Sequence, residues 1–180
     1  MNFEGKVAVI TGSSAGIGAE AAKKISALGG KVTINYSKSK EAAEEVAHEC
    51  SHLGGSPLII KSDIATDEGC KHLIDSAFKE FGKLNILINN AGRTKFADHS
   101  NLDALERDDF ENILALNLNS NYELIKHAHP HLAKNKKSSI VNISSVAGLR
   151  GLGSSVAYAA SKGALNSMTL ALSRSLGPDG

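Results

Sequence analysis

Tyr158 and Lys162 stand four residues apart in a stretch whose composition reads as a helix, and on a helix that spacing puts a phenol and an ammonium on one face. A phenol is a poor acid or base at neutral pH, with an unperturbed pKa near 10. A nearby ammonium stabilises the phenolate and lowers that value. A lowering of about 3 units takes roughly 4 kcal/mol of differential interaction. One exposed ion pair does not supply that much, whereas a water-poor site with two cations can. The chemistry such a pair suits is giving a proton to, or taking one from, an oxygen whose carbon gains or loses a hydride. Alone, a Tyr-x-x-x-Lys pair is an ordinary helix feature; its weight depends on what positions it.

The positioning elements are legible as alternating short apolar runs and amphipathic stretches. Residues 7–10, 31–36, 58–60, 86–88 and 140–143 read as strands. Residues 16–28, 40–52, 67–81, 108–127 and 155–176 read as helices, the fourth stopped by Pro130 and the last by Gly177 and Pro178. The strands are continuously apolar, as a sheet covered on both faces requires. Five such β-α repeats with right-handed crossovers predict an α/β fold: a Rossmann-like, doubly wound parallel sheet of five strands, forming one dinucleotide-binding domain over 1–180. The polar stretch 92–107 is expected to be irregular.

A second motif sits between the first strand and first helix: Thr11-Gly12-Ser13-Ser14-Ala15-Gly16-Ile17-Gly18. Gly12 permits a tight turn, Gly16 lets backbone approach a ligand, and Gly18 lets the helix pack closely. The helix N-terminus then offers N–H groups and partial positive charge to a pyrophosphate.

Bulk composition removes several function classes. The chain has 180 residues, 42% of them apolar, with 20 basic and 19 acidic side chains, so nothing global draws it to nucleic acid or an anionic membrane. Lys134, Lys136 and Lys137 read as a solvated loop. Cys50 and Cys70 lack metal-type spacing and suit a reducing compartment. There is no signal-peptide pattern and no membrane-length apolar run, so a soluble, cytoplasmic protein is expected. His127, His129 and His131 suggest a metal, but Pro130 interrupts them and no carboxylate or Cys in the sequence pattern completes a site. They read as helix-end residues complementing the dipole, and no metal is expected.

Together these motifs resemble the short-chain dehydrogenase/reductase family. Thr-Gly-x-x-x-Gly-x-Gly matches its fingerprint, Asn89-Asn90-Ala91-Gly92 after the fourth strand matches its Asn-Asn-Ala-Gly motif, and Asp63 after the third strand matches its adenine-contacting Asp. The resemblance spans the whole chain and implies a nicotinamide-dependent oxidoreductase interconverting secondary alcohols and carbonyls. It implies that Tyr158 is the acid-base, that Lys162 tunes it and holds the nicotinamide ribose, and that Ser145, thirteen residues before Tyr158, orients the substrate oxygen. Ser144 is the neighbouring candidate, and the family spacing favours Ser145; the resemblance also implies that 148–155 is an irregular loop at the substrate pocket, between the fifth strand and the helix of Tyr158. Asn117 corresponds to the member that holds a proton-relay water. Cofactor contacts are expected from Gly12, Ser13, Ser14, Gly16, Ile17, Gly18, Ser37, Lys38, Asp63, Ile64, Asn90, Ala91 and Gly92, with Tyr158 and Lys162.

Folds of this kind that prefer NAD place an acid at the end of strand two. Tyr36 stands there and carries no charge to repel a 2′-phosphate. Ser37 can hydrogen-bond that phosphate, and Lys38 or Lys40 can pair with it. NADP is therefore the expected cofactor and NAD the alternative. Against this, Ala15 occupies a place that is basic in many NADP-using relatives.

Within the family the chain looks most like the 3-oxoacyl-carrier-protein reductase and sugar dehydrogenase branch. Relatives continue into a further strand pairing with the fifth, so the chain is expected to be C-terminally truncated, its fifth strand at the sheet edge. The expected partners are a small-molecule substrate and, in a longer parent, further copies in a homodimer or homotetramer. The stripe Leu165, Met168, Leu172 and Leu176 is expected to be core or interface. Two other readings stand beside the enzyme: a truncated, inactive nucleotide-binding or subunit-interaction fragment, and a nucleotide sensor. The retained Ser145, Tyr158 and Lys162 weigh against the sensor.

Overall fold

The computed structural model describes residues 2–135 and 137–180, so Lys136 of the basic loop lies outside the described residues. Five parallel strands form its centre: β1 (Val7–Ile10), β2 (Lys31–Tyr36), β3 (Ser56–Lys61), β4 (Ile86–Asn89) and β5 (Ser139–Asn142). They lie in the order β3-β2-β1-β4-β5. All four neighbouring pairs are parallel, which confirms the doubly wound arrangement. Chain order reverses between β1 and β4, and in such sheets the crevice beyond the strands' carboxyl ends at that switch point receives ligands.

The helices cover both faces: α1 (Gly16–Ala27), α2 (Lys40–His52), α3 (Asp67–Phe81), α4 (Arg107–Leu114), α5 (Ser120–Leu132), α6 (Ala147–Arg150) and α7 (Val156–Leu176). Successive residues of β1 divide between the two faces. Ala8 and Ile10 pack with Ala19, Ala22, Ala43 and Val46 under α1 and α2. Val9 packs with Leu73, Ile74, Leu124 and Ile125 under α3 and α5. Both faces are therefore buried, as the unbroken apolar strands require. α3 shows its ends in its sequence: the Thr66 hydroxyl accepts from the Gly69 N–H, and Gly82 ends it at φ 70°.

Three expectations are corrected. The helix predicted over 108–127 is α4, a π-helical segment Ala115–Asn119, and α5. Pro130 does not stop it, and α5 runs on to Leu132. Proline forbids only its own N–H bond to the carbonyl four residues back. At Pro130 that loss falls in the final turn, while Ala128 and Leu132 are buried on either side. Third, the stretch 148–155 is not wholly irregular, because it opens within the short helix α6, which ends at Gly151 (φ 65°).

The stripe on α7 divides. Leu165 is fully buried, Leu172 and Leu176 pack against the core, and Met168 borders a surface hollow with Leu118, Tyr122 and Ala164. β5 is one edge of the sheet, with Val141 43% exposed. Beside it lies an open apolar groove flanked by Ile125, Leu132, Ile140 and Leu172. Among the described residues, no helix is long and apolar enough to cross a membrane.

Candidate active site

The turn from β1 into α1 is held from below by strand β2. The Asn35 side-chain oxygen accepts from the Gly12 N–H at 3.1 Å, and its amide donates to the Ile60 and Ser62 carbonyls. Thr33 accepts from the Ile10 N–H at 3.1 Å. The Thr11 hydroxyl oxygen receives the N–H groups of Asn90 and Ala91 at 2.9 and 3.0 Å, tying the glycine turn to the segment after β4. Gly12 lies at φ +60°, and a β-carbon there would lie 3.0 Å from Ala91. At Gly18 a β-carbon would meet the Asn90 amide at 2.6 Å. Ala15, at the N-cap of α1, brings no side-chain acceptor, so among the described residues no N-cap side chain satisfies the first-turn N–H groups beside this turn.

An open groove of about 400 Å³ runs along the strand ends. Gly12, Ser14, Ser37, Lys38, Asp63, Ile64, Asn90, Ala91 and Gly92 line it, as does Tyr36. Asp63 receives the Ala65 N–H at 3.1 Å. Gly16, Ile17 and Gly18 follow at the start of α1, with Ile17 65% exposed. The contact expected from Ser13 is corrected. Ser13 is fully buried, its hydroxyl donates to the Ile10 and Thr33 carbonyls, and its N–H is bonded to the Asn35 carbonyl. It braces the turn from inside. Lys40 likewise does not line the groove, for its ammonium pairs with Glu44 at 3.1 Å. Arg93 and Asn35 line the groove although neither was expected there.

The four catalytic candidates come from three places. Lys162 on α7 is 4% exposed, and its ammonium donates to the Ile143 carbonyl just beyond β5 at 2.7 Å. It lies 5.8 Å from the centre of the Tyr158 ring, so the helical spacing does put both on one face. Burial pushes the Lys162 pKa below the usual lysine value. A desolvated ammonium gains more from an adjacent anion than a hydrated one does, which is the electrostatic condition for a stabilised phenolate. A β-carbon on Gly92 would come within 3.3 Å of Asn117 and 3.7 Å of the Lys162 ammonium. The groove's Asn-Asn-Ala-Gly end and the Lys thus converge.

The two adjacent serines separate cleanly. Ser144 donates its hydroxyl to the Lys162 carbonyl at 3.3 Å. Ser145 accepts from the Ala147 N–H at 3.1 Å, which leaves its own O–H proton to donate elsewhere. Asn117 is fully buried in the π-helical segment. Its side chain accepts from the Arg93 N–H at 2.8 Å and donates to the Arg93 carbonyl and the Ser161 hydroxyl, both at 3.0 Å. It joins the loop after β4 to α7. Gly148 was not singled out by sequence, yet a β-carbon there would lie 2.5 Å from the Lys162 carbonyl carbon. Its lack of a side chain lets α6 lie against α7.

Exposed apolar side chains flank this end of the groove. Val146, Leu149 and Leu152 follow Ser145 and are at least 60% exposed. Phe96, 84% exposed, sits on a loop joined to the segment before Tyr158 by the Ala97 N–H to Ser154 carbonyl bond at 2.9 Å.

The three histidines of α5 go separate ways. His127 meets Asp67 at 2.8 Å, His129 meets Asp179 at 2.8 Å, and His131 stacks on Phe78 at 3.9 Å. The premise that no carboxylate accompanies His127 is corrected: Asp67 and Glu123 bring ligand atoms within 4.8 Å of one another and of its ring. The Lys126 ammonium, 2.6 Å from Glu123 and 3.9 Å from Asp67, already supplies a cation there.

Comparison with known proteins shows the family. Residues 6–180 match the short chain dehydrogenase family. The chain is 37% identical over 175 residues to granaticin polyketide synthase putative ketoacyl reductase 2 of Streptomyces violaceoruber, covering 97% of this chain and 69% of that protein. A short chain dehydrogenase from Burkholderia cenocepacia J2315 in complex with NADP superposes with a TM-score of 0.93 at 36% identity, covering 100% of this chain and 72% of that one. NAD+-bound xylitol dehydrogenase superposes with a TM-score of 0.93 at 27% identity, covering 100% and 68%. The chain belongs to the short-chain dehydrogenase family, whose members are NAD(P)-dependent oxidoreductases acting on alcohol and carbonyl groups.

Proposed function

We propose that the chain catalyses hydride transfer between NADP, in preference to NAD, and a small secondary alcohol or carbonyl, with Tyr158 as the acid-base. The observation that carries this reading is the buried Lys162 ammonium, held by the Ile143 carbonyl and lying 5.8 Å from the Tyr158 ring at the end of the strand-end groove. The groove fits a dinucleotide. Its turn is shaped by glycines, its helix N-terminus is open to a phosphate, and Asp63 stands at its far side.

When bound, the nicotinamide supplies or accepts the hydride. The chain's residues manage the oxygen. In the reducing direction Ser145 donates a hydrogen bond to the carbonyl oxygen, which holds it beside Tyr158. As the carbon gains hydride, the Tyr158 O–H bond breaks and its proton passes to that oxygen, leaving a phenolate. Lys162 stabilises this phenolate and later helps return a proton to it. Asn117 keeps the Arg93 loop against α7, so that Gly92 and Lys162 remain in register. In the oxidative direction the phenolate removes the alcohol proton.

Lys38 lines the groove beside Tyr36 and Ser37 and is the cation that would meet a 2′-phosphate. The apolar Phe96, Val146, Leu149 and Leu152 suit a substrate with an apolar body next to its carbonyl, and the likeness to a ketoacyl reductase points the same way. The test is nicotinamide oxidation followed by absorbance with acyl-thioester, cyclic-ketone and sugar substrates, for the wild type and Tyr158→Phe. Turnover lost in Tyr158→Phe with cofactor binding retained supports the assignment; unchanged turnover removes Tyr158 from it.

A further inference from the structure

Helix α2 carries His48-Glu49-Cys50-Ser51-His52, two imidazoles one helical turn apart on its outer side. Both rings are exposed, and their Nε2 atoms lie 3.0 Å apart with the rings edge to face. Two nitrogens each about 2.0–2.1 Å from one ion, at angles between a right angle and the tetrahedral value, lie roughly 2.9–3.4 Å apart. The two nitrogens share one hydrogen bond at this distance, and a cation taking the place of its proton would find both at the separation it needs.

We propose that His48 and His52 form a surface site for one borderline-soft divalent cation, Zn2+, Ni2+ or Cu2+, with water completing its coordination. Neutral imidazole favours these ions, while Mg2+ and Ca2+ require oxygen ligands. The intervening residues take no part. Cys50 is buried toward the core, and the Glu49 carboxylate is paired with Lys23 at 3.1 Å. The proposal is of cation binding through the two imidazoles alone. The carboxylate and imidazole cluster at Asp67, Glu123 and His127 differs in that Lys126 already fills the cationic place. An ion held at positions four apart also clips the final turns of α2 before the chain leaves it at Leu53.

The test is calorimetric titration of the chain with Zn2+, Ni2+ and Mg2+, with thermal melts in parallel, for the wild type, His48→Ala, His52→Ala and His127→Ala. The expected result is one tight Zn2+ or Ni2+ per chain, at least tenfold weaker in either α2 variant and unchanged in His127→Ala, with no Mg2+ binding. The melting temperature should rise with the logarithm of Zn2+ concentration in the wild type and lose that response in His52→Ala. Since both rings are exposed, these variants keep the fold, and an unaltered metal-free melt verifies it. Equal affinity in wild type and His52→Ala, or loss of binding in His127→Ala, overturns the proposal.

Discussion

The Asn35 side-chain oxygen receives the Gly12 N–H at 3.1 Å, so a buried amide on β2 fixes the turn that faces the strand-end groove. The same side chain donates to two carbonyls at and beyond the end of β3, placing one residue at the junction of three strand ends. Asn35→Leu leaves those groups buried and unpaired, at about 1–3 kcal/mol for each one unsatisfied. The expected outcome is a clear loss of melting temperature together with weaker dinucleotide binding. A variant that melts and binds like wild type would show that the turn holds itself.

Ser144 and Ser145 are adjacent yet predicted to behave differently. Ser145→Ala removes a donor to the substrate oxygen and should lower kcat by about 10²–10³. Ser144→Ala removes only a bond to the Lys162 carbonyl and should cost about 1 kcal/mol of stability with kcat nearly preserved. Steady-state kinetics beside thermal melts separates the two; equal kcat losses would contradict the assignment.

Lys38 and Lys40 separate in the same way. Lys38 lines the groove, whereas Lys40 is paired with Glu44. A charge-assisted bond to phosphate is worth about 1.5–3 kcal/mol. Lys38→Ala should therefore weaken NADPH binding about tenfold or more with little effect on NADH, and Lys40→Ala should change neither. An unaltered NADPH to NADH ratio in Lys38→Ala would remove the argument for NADP.

Burial pushes the Cys70 thiol up to about 12 from its ordinary 9.0 and raises Cys50 as well. The folded pKa is the higher one, so this contribution to stability is fully present below pH 9.0 and is lost as pH rises toward about 12, where the unfolded thiols ionise first. Both thiols should resist a thiolate-specific reagent at pH 8 until denaturant is added, and then react together. Rapid labelling of the native chain would show that the interior opens.

The sheet, the glycine turn and the Tyr-Lys pair were legible in the sequence because each depends on local pattern: continuous apolar runs, glycines at a strand-to-helix junction, four-residue spacing. What was hidden depends on partners far along the chain. Ser13 reads as a groove residue in the motif, yet its hydroxyl turns inward to Thr33 on β2. Asn35 reads as an ordinary strand residue until β1 and β3 are placed beside it. Pro130 reads as a stop, but the buried Leu132 carries α5 past it. The gap at Gly148 becomes visible only once α6 lies on α7. His48 and His52 carry a local signal, four-residue spacing, but the approach of their Nε2 atoms to 3.0 Å depends on the side-chain conformations.

The most direct test of the central claim, a nicotinamide dinucleotide site along the strand ends, is titration of the chain with NADPH and NADH by nicotinamide fluorescence. The proposed function predicts saturable binding, tighter for NADPH, retained in Tyr158→Phe and accompanied by a raised melting temperature. A folded chain that saturates with neither nucleotide would contradict it.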